Sequence, residues 1–405
     1  MAAAEDDEAH DRHWQRNLVI CLLGSFTTII AMTLLLPFLP LYVAELGVTS
    51  HAAIAQWSGI AYGATFFAAA LVAPVWGRLA DRYGRKLMLI RASFGMAIAM
   101  SLIGMVGNVW ELVAVRLFAG LAGGYASGSM ILVATQTPKG RSGWALGVLS
   151  SGVMAGNLVG PLLGGWLPPR IGIRNTFWIA GGLIFLTFLA TTFLLKEEKR
   201  PAQAEKAASS EGWKAIPDLR PVIAMLATGA LLMVATMSIE PIITLYVAKL
   251  VDAAHVTEVS GLAMAAAALG SILSASRLGK LADRIGPLRV IMAALVVSAL
   301  LLIPQAYVTD GWQLVGLRFL MGLALGGLLP CVTSVIRHSV PIGSVGRILG
   351  YSTSSQYSGQ VLGPLIGGFV GGHIGMRAVF LGTALLMAGG AALIWASRRD
   401  TVIPP

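Results

Sequence analysis

Long apolar runs separated by short polar breaks fill most of the chain. A membrane-crossing helix takes roughly 20 mostly apolar residues. Twelve runs meet that length, near 18–43, 54–76, 87–106, 110–135, 143–167, 173–195, 222–248, 257–276, 290–308, 312–336, 347–370 and 376–396. This pattern predicts an all-α polytopic membrane protein, with consecutive helices antiparallel because their connections are short. One stretch departs from it: residues 196–220, KEEKRPAQAEKAASSEGWKAIPDLR, are polar and charged. The predicted organisation is a tail over 1–17, six helices over 18–195, a linker over 196–220, six more helices over 221–397 and a tail over 398–405.

Composition agrees with that reading and removes the main alternatives. Hydrophobic residues make up 56% of the 405, and charged residues only 12%. With the 48 glycines the apolar share reaches about 68%, against roughly 45–50% in soluble domains. A water-facing surface needs more charge than this, and a disordered chain is poor in apolar residues rather than rich. Cys21 and Cys331 both lie in apolar runs, so neither a disulfide framework nor a zinc site is expected. The net charge of +10 would suit nucleic acid, but the placement of the charge says otherwise. Of 29 Lys and Arg residues, 23 fall at the termini or in loops after even-numbered runs. Only Arg170, Arg174, Lys249 and Arg377 fall on the opposite side. The positive-inside rule therefore puts both termini and the linker in the cytoplasm, with no nucleic-acid partner. The acidic start, MAAAEDDEAHDRHW, does not read as a secretory signal, so the first run is expected to stay in the mature protein.

The two sets of six are copies of each other at an offset of about 202 residues, an arrangement that places substrate between the halves near mid-membrane. GRLADRYGRK at 77–86 returns as GKLADRIGPL at 279–288, and LVAVRLFAGLAGG at 112–124 as LVGLRFLMGLALGG at 314–327, setting Arg116 against Arg318. Gly160-Pro161-x-x-Gly164-Gly165 returns as Gly363-Pro364-x-x-Gly367-Gly368, and PFLPLYVAEL at 37–46 as PIITLYVAKL at 241–250.

At these residues the chain resembles the major facilitator superfamily over essentially its whole length. The loop G-x-L-a-D-R-x-G-R-K is that family's best-known signature, and the GPxxGG pattern resembles one tied to its antiporter branches. The overall run is most similar to multidrug efflux members of the twelve-helix drug:proton antiporters. The resemblance implies a major facilitator fold, with twelve transmembrane helices in two pseudo-symmetric six-helix halves. The activity it implies is proton-coupled export of small amphipathic compounds from the bacterial cytoplasm across the inner membrane, by a protein that is usually a monomer and needs no cofactor. Two other readings stay open: a carrier of one metabolite, such as a sugar, siderophore or lipid-linked molecule, and a non-transporting membrane sensor.

In the first signature, Gly77 and Gly84 are expected to allow tight turns. Asp81 stands among Arg78, Arg82, Arg85 and Lys86, where it can pair locally or accept from a helix N-terminus. The resemblance implies a cytoplasmic gate at Gly77, Asp81, Arg82, Gly84, Arg85 and Lys86; the alternative is that the arginines only enforce topology. The second copy carries Pro287 and Leu288 in place of Arg85 and Lys86, which points to the first copy as the switch. Gly152, Gly156, Gly160 and Gly164 recur every fourth residue, as do Gly359, Gly363, Gly367 and Gly371. Such a ladder lies on one helix face and favours close packing. Pro161 and Pro364 each remove one backbone hydrogen bond and favour a bend.

Among the 19 acidic residues, Glu240 alone lies well inside a run. An ionisable group there is a functional candidate. Desolvation favours its neutral form and a nearby cation its charged one, so it is suited to exchanging a proton for a cationic substrate. The alternative is a wet position at the outer interface. Met233, Met237, Glu240 and Thr244 share its helix face, and methionine accommodates varied apolar partners. Arg116 is linked by the resemblance to proton transfer. Its guanidinium does not give up a proton, so its role there would be to tune a carboxylate or hold a water chain; the alternative is a snorkelling structural arginine. The proton-coupling set is thus Glu240, Arg116 and Asp81. Phe26, Tyr42, Tyr62, Phe66, Gln356, Tyr357 and Gln360, with Met233, Met237 and Glu240, are the candidates to line the cavity, although lone aromatics also serve as packing or interface anchors. No nucleophile constellation, metal-ligand cluster or phosphate-binding loop is present in the sequence, so no enzymatic activity or metal is expected.

Overall fold

A computed structural model describes residues 13–138, 140–197, 219–341 and 344–399, with the side chains of 346 and 397–399 left aside. The outer parts of both tails and nearly all of the linker, of which only Lys196, Glu197, Leu219 and Arg220 are included, lie outside the described residues.

Twelve helical spans are present among the described residues. They are α1 (Trp14–Glu45), α2 (His51–Tyr83), α3 (Arg85–Ile103), α4 (Val109–Gln136), α5 (Ser142–Ile171) and α6 (Ile173–Leu194). After the linker come α7 (Leu219–Val247), α8 (Ala253–Ile285), α9 (Pro287–Gln305), α10 (Gly311–Ser339), α11 (Val345–His373) and α12 (Met376–Arg399). Eleven have an apolar window long enough to cross a membrane; α11 is the more polar one. Its Ser352, Ser354, Ser355, Gln356, Ser358 and Gln360 explain the difference. Large apolar side chains on the outside, such as Leu71, Leu186, Phe193 and Leu385, are each more than 60% exposed. They suit a hydrocarbon solvent, in which a helix satisfies its own backbone.

Among the interrupted spans, α1 and α4 show the reason plainly. In α1 the helix Trp14–Thr33 passes through a 3-10 turn at Leu36–Phe38 before resuming at Leu39–Glu45, and Pro37 and Pro40 supply no amide there. In α4 the segments Val109–Ala122 and Tyr125–Gln136 are separated by Gly123 in extended conformation and Gly124 at φ 109°. By contrast, Pro161 and Pro364 both sit within continuous helices.

The described residues form two compact units, one within Met1–Phe38 and Phe67–Gln203, the other within Leu39–Phe66 and Ala204–Pro405. In the first, the glycine ladder of α5 meets α1: a Cβ at Gly152 would strike Leu22, at Gly156 Ile29, at Gly160 Thr33 and at Gly164 the Leu34 carbonyl. Phe38 then packs edge-on against Phe177 at 5.5 Å. In the second, the ladder of α11 meets α7, with Gly359 against Ala230 and Met233, Gly363 against Met237, Gly367 against Ser238 and Gly371 against Ile242. These glycines act in packing, as small residues do between membrane helices. A second glycine face of α11 explains why Leu39–Phe66 joins this unit. Gly368 and Gly372 lie under the carbonyls of Ala55 and Ala52, and Gly59 under that of Pro364.

Candidate functional site

The structure revises the first signature. Gly77 through Tyr83 belong to α2, and a Cβ on Gly77 would meet nothing within 4 Å, so Gly77 makes no turn. The whole connection is Gly84, whose φ of 95° favours glycine; Gly286 repeats it in the second copy at 93°. Arg85 and Lys86 are therefore the first residues of α3. Asp81 is 75% exposed and pairs with Arg85 at 3.8 Å, one helical turn on. The N-terminus of α3 is taken by Glu197, whose two carboxylate oxygens accept from the amides of Arg85 (2.7 Å) and Lys86 (2.9 Å). A carboxylate at that end also matches the helix dipole. Next to it, Asn17 donates to the Lys196 carbonyl at 2.6 Å and to Gln136 at 2.7 Å, while the Lys196 amide donates back to Asn17 at 3.1 Å. The start of the linker thus fastens α1, α3 and α4 together. Nothing in the sequence singled out Glu197, because its partners lie far away along the chain.

Inside the spans, the structure brings Glu240 of α7 to Arg318 of α10. A guanidinium nitrogen of Arg318 donates to Oε1 of Glu240 at 3.4 Å, with the two side chains 4% and 15% exposed for Arg318 and Glu240 respectively. Oε2 of Glu240 and Nε of Arg318 have no hydrogen-bond partner among the described residues. Burying two charges costs several kcal/mol unless geometry and further hydrogen bonds compensate. This pair is long and leaves hydrogen-bonding capacity on both sides. The coupling set expected from the sequence holds Arg116 and not Arg318, whereas the structure makes Arg318 the partner of Glu240.

The remaining candidates divide by position. Met233 accepts weakly from Gln360 at 3.7 Å, and Gln356 donates to Ser352 at 3.3 Å, so these residues of α7 and α11 share one polar and thioether seam. Ser355 donates to the Leu226 carbonyl at 2.6 Å on the same seam. Tyr357 on α11 is half-buried. Tyr42 is fully buried, and Tyr62 stacks edge-on with Phe66 at 5.2 Å. Phe26 contributes its carbonyl to the α1–α5 packing at Gly156, and Arg116 is buried on α4. Between α7, α9 and α10 lies Gln305, a residue the sequence does not suggest. It is buried, its backbone carbonyl accepts from Tyr246 at 2.8 Å, and its Nε2 donates to the Leu301 carbonyl at 3.1 Å.

Comparison with known proteins fixes the family. The Major Facilitator Superfamily model matches residues 21–257 and again 249–405. The chain belongs to the Major Facilitator Superfamily. It is 44% identical over 393 residues to the multidrug resistance protein MdtG of Serratia proteamaculans, covering 96% of each chain. Against the MdtG proteins of Salmonella typhimurium and Enterobacter lignolyticus the identity is 43%, covering 96% of this chain and 96% and 94% of theirs. Among solved structures, an inward-facing bacterial homolog of the human lysosomal transporter Spinster superposes with a TM-score of 0.79 at 16% identity, over 97% of this chain and 98% of that one. The nucleoside transporter NupG gives 0.69 at 16% identity, over 94% and 99%. At that identity both structures speak for the fold alone. All of the matched proteins named here are transporters or resistance proteins, in keeping with a major facilitator fold of two repeated six-helix halves.

Proposed function

We propose that this protein is a multidrug exporter of the bacterial inner membrane that uses the proton gradient to expel small amphipathic compounds. The efflux reading is supported by near-full-length similarity to MdtG multidrug resistance proteins. Proton coupling is supported by one observation above the others, the buried Glu240–Arg318 pair with a spare carboxylate oxygen. Protonating Glu240 removes its charge and loosens Arg318; deprotonating it restores the attraction. A change of that kind inside a low-dielectric span is large enough to favour one conformation over another. In this reading the six-helix halves 18–195 and 221–397 alternate access to a shared cavity, with both termini cytoplasmic and the chain acting as a monomer. The seam of Met233, Met237, Gln356 and Gln360 offers thioether and amide groups to an amphipathic guest, and Tyr62 with Phe66 offers ring faces. Asp81 and Arg85, with Glu197 holding the α3 terminus, form the cytoplasmic latch. Arg116 serves the first half as a fixed positive charge.

The test is accumulation of a lipophilic fluorescent cation in cells carrying wild type or Glu240→Gln, each with and without a protonophore. Wild type is expected to lower accumulation only when the gradient is intact, and Glu240→Gln to lose that gradient dependence. Efflux by Glu240→Gln with unchanged pH dependence would remove Glu240 from the coupling step. Accumulation indifferent to both protein and protonophore would remove the exporter reading itself.

A further inference from the structure

The break in α4 leaves a problem that the transport reading does not address. A helix end exposes carbonyls with no intrahelical partner, and inside a bilayer each needs a donor. At Gly123 and Gly124 the chain leaves the helix, so the carbonyls of Leu121, Ala122 and Gly123 point out of the outer segment. One side chain of α3 collects all three. Arg91 donates to the carbonyls of Leu121 and Ala122 at 3.0 Å each and to that of Gly123 at 3.3 Å. Its guanidinium lies over the ring of Trp76 on α2 with the carbon 3.6 Å from the centroid. The Trp76 indole N–H donates to the same Leu121 carbonyl at 2.9 Å. The negative end of the segment's dipole is thus met by a positive, planar donor fork.

The second half supplies the control. There the repeat places Ala293 and Leu278 where Arg91 and Trp76 stand. The corresponding glycines, Gly326 at φ −60°, ψ −26° and Gly327 at φ −98°, ψ −1°, stay in the right-handed region. α10 is divided there as well, into Gly311–Leu325 and Leu328–Ser339, but by a right-handed turn in which the Gly326 amide donates to the Gly322 carbonyl at 3.0 Å, and neither Arg91 nor Trp76 has a counterpart in the repeat. The cation and the left-handed break occur together in one half, and the repeat lacks both in the other.

We propose that Arg91 is a positioning residue for transport. Seated on Trp76, it closes the carbonyl end of Val109–Ala122 and sets the angle between that segment, which carries Arg116, and Tyr125–Gln136. Lysine keeps the charge at this point but has neither the fork nor the planar face for the indole.

The experiment uses the full-length protein in lipid nanodiscs and proteoliposomes, with ethidium as the transported cation. Spin labels at Trp110→Cys and Ile131→Cys, both exposed positions on either side of the break, report its angle. Arg91→Lys is expected to broaden the label–label distance distribution. Its maximal transport rate should fall about tenfold, the scale of one charge-assisted hydrogen bond, with KM nearly unchanged. Trp76→Phe keeps the ring and removes the one N–H donor, so a smaller change in the same two readouts is expected. Thermal unfolding of the same samples corrects for lost folded protein. A wild-type distance distribution and maximal rate in Arg91→Lys overturn the proposal, as does a rate that falls only in step with the folded fraction. Should Arg91→Lys fail to insert, Trp76→Phe decides by the same criteria.

Discussion

The two halves share a backbone plan but use their charges in different places. In the first, Arg91 meets three carbonyls at the break of α4. In the second, Arg318 meets Glu240 between helices. The repeat aligns Arg318 with Arg116, and Glu240 with Leu36, so the first half has the arginine without that acid. It also aligns Arg91 with Ala293, so the second half has the glycine pair without the clamp. The repeat therefore keeps the helices and their glycine seams but not the buried charges. One half became a candidate for charge switching, and the other for setting the geometry of a broken helix.

That difference can be tested from its largest consequence to its smallest. Breaking the buried pair from one side is the most severe change. Arg318→Met leaves Glu240 buried without its cation and should cost about 3–5 kcal/mol of stability, whereas adding Glu240→Gln should recover most of it. Thermal unfolding of the detergent-solubilised single and double variants measures this, and equal losses in both would mean the pair is not coupled. The repeat has Leu36 at the Glu240 position of the first half, and a cost of Arg116→Met matching that of Arg318→Met would erase the contrast between halves.

Next in size are the glycine seams, where the halves should behave alike. Gly164→Ala sets a methyl against the Leu34 backbone and Gly367→Ala against the Ser238 backbone. Each should destabilise by about 1–3 kcal/mol, the usual cost of overpacking a tight contact. A marked difference between the two, read from folded yield and unfolding temperature, would show that only one seam is tightly built.

Glu197→Gln is expected to be milder, about 1 kcal/mol, because an amide still accepts a hydrogen bond but no longer answers the α3 dipole. α9 begins at Pro287, which has no amide, so the hydrogen bond that Arg85 makes to Glu197 has no counterpart at that position. An unfolding temperature identical to wild type would dismiss the cap. Smallest of all is Gly77→Ala. With open space around it and a helical neighbourhood, it should leave folding and efflux unchanged within error, or stabilise α2 slightly. A clear loss of efflux in well-inserted protein would restore a role for that glycine in the latch.

Much of this was legible in the order of residues. The span boundaries came within a few residues because hydropathy is a local property, and the break between apolar run and polar loop is sharp. Glu240 stood out because it is an acid in an apolar run. Arg91 did not: six residues into α3, it counted simply as one of the basic residues that orient the chain. Its function depends on which way α3 is rotated and on the two carbonyl-bearing turns of α4 beside it. Glu197 was hidden in a charged stretch for the same reason. The signature at 77–86 was misread as a loop because its glycines suggested turns, yet one glycine with positive φ was sufficient.

By itself the sequence determined the number and order of the helices, the internal repeat and the family, since each depends on composition within a span or on comparison along the chain. Only the tertiary structure decided the partners: Glu240 with Arg318, Arg91 with the open end of α4, Glu197 with the start of α3, and the glycine ladders with the helices they admit. In a solvent of lipid, burying apolar area discriminates little between one helix face and another. Pairing is therefore decided by close packing and by the few polar groups that must find each other, and those are long-range facts.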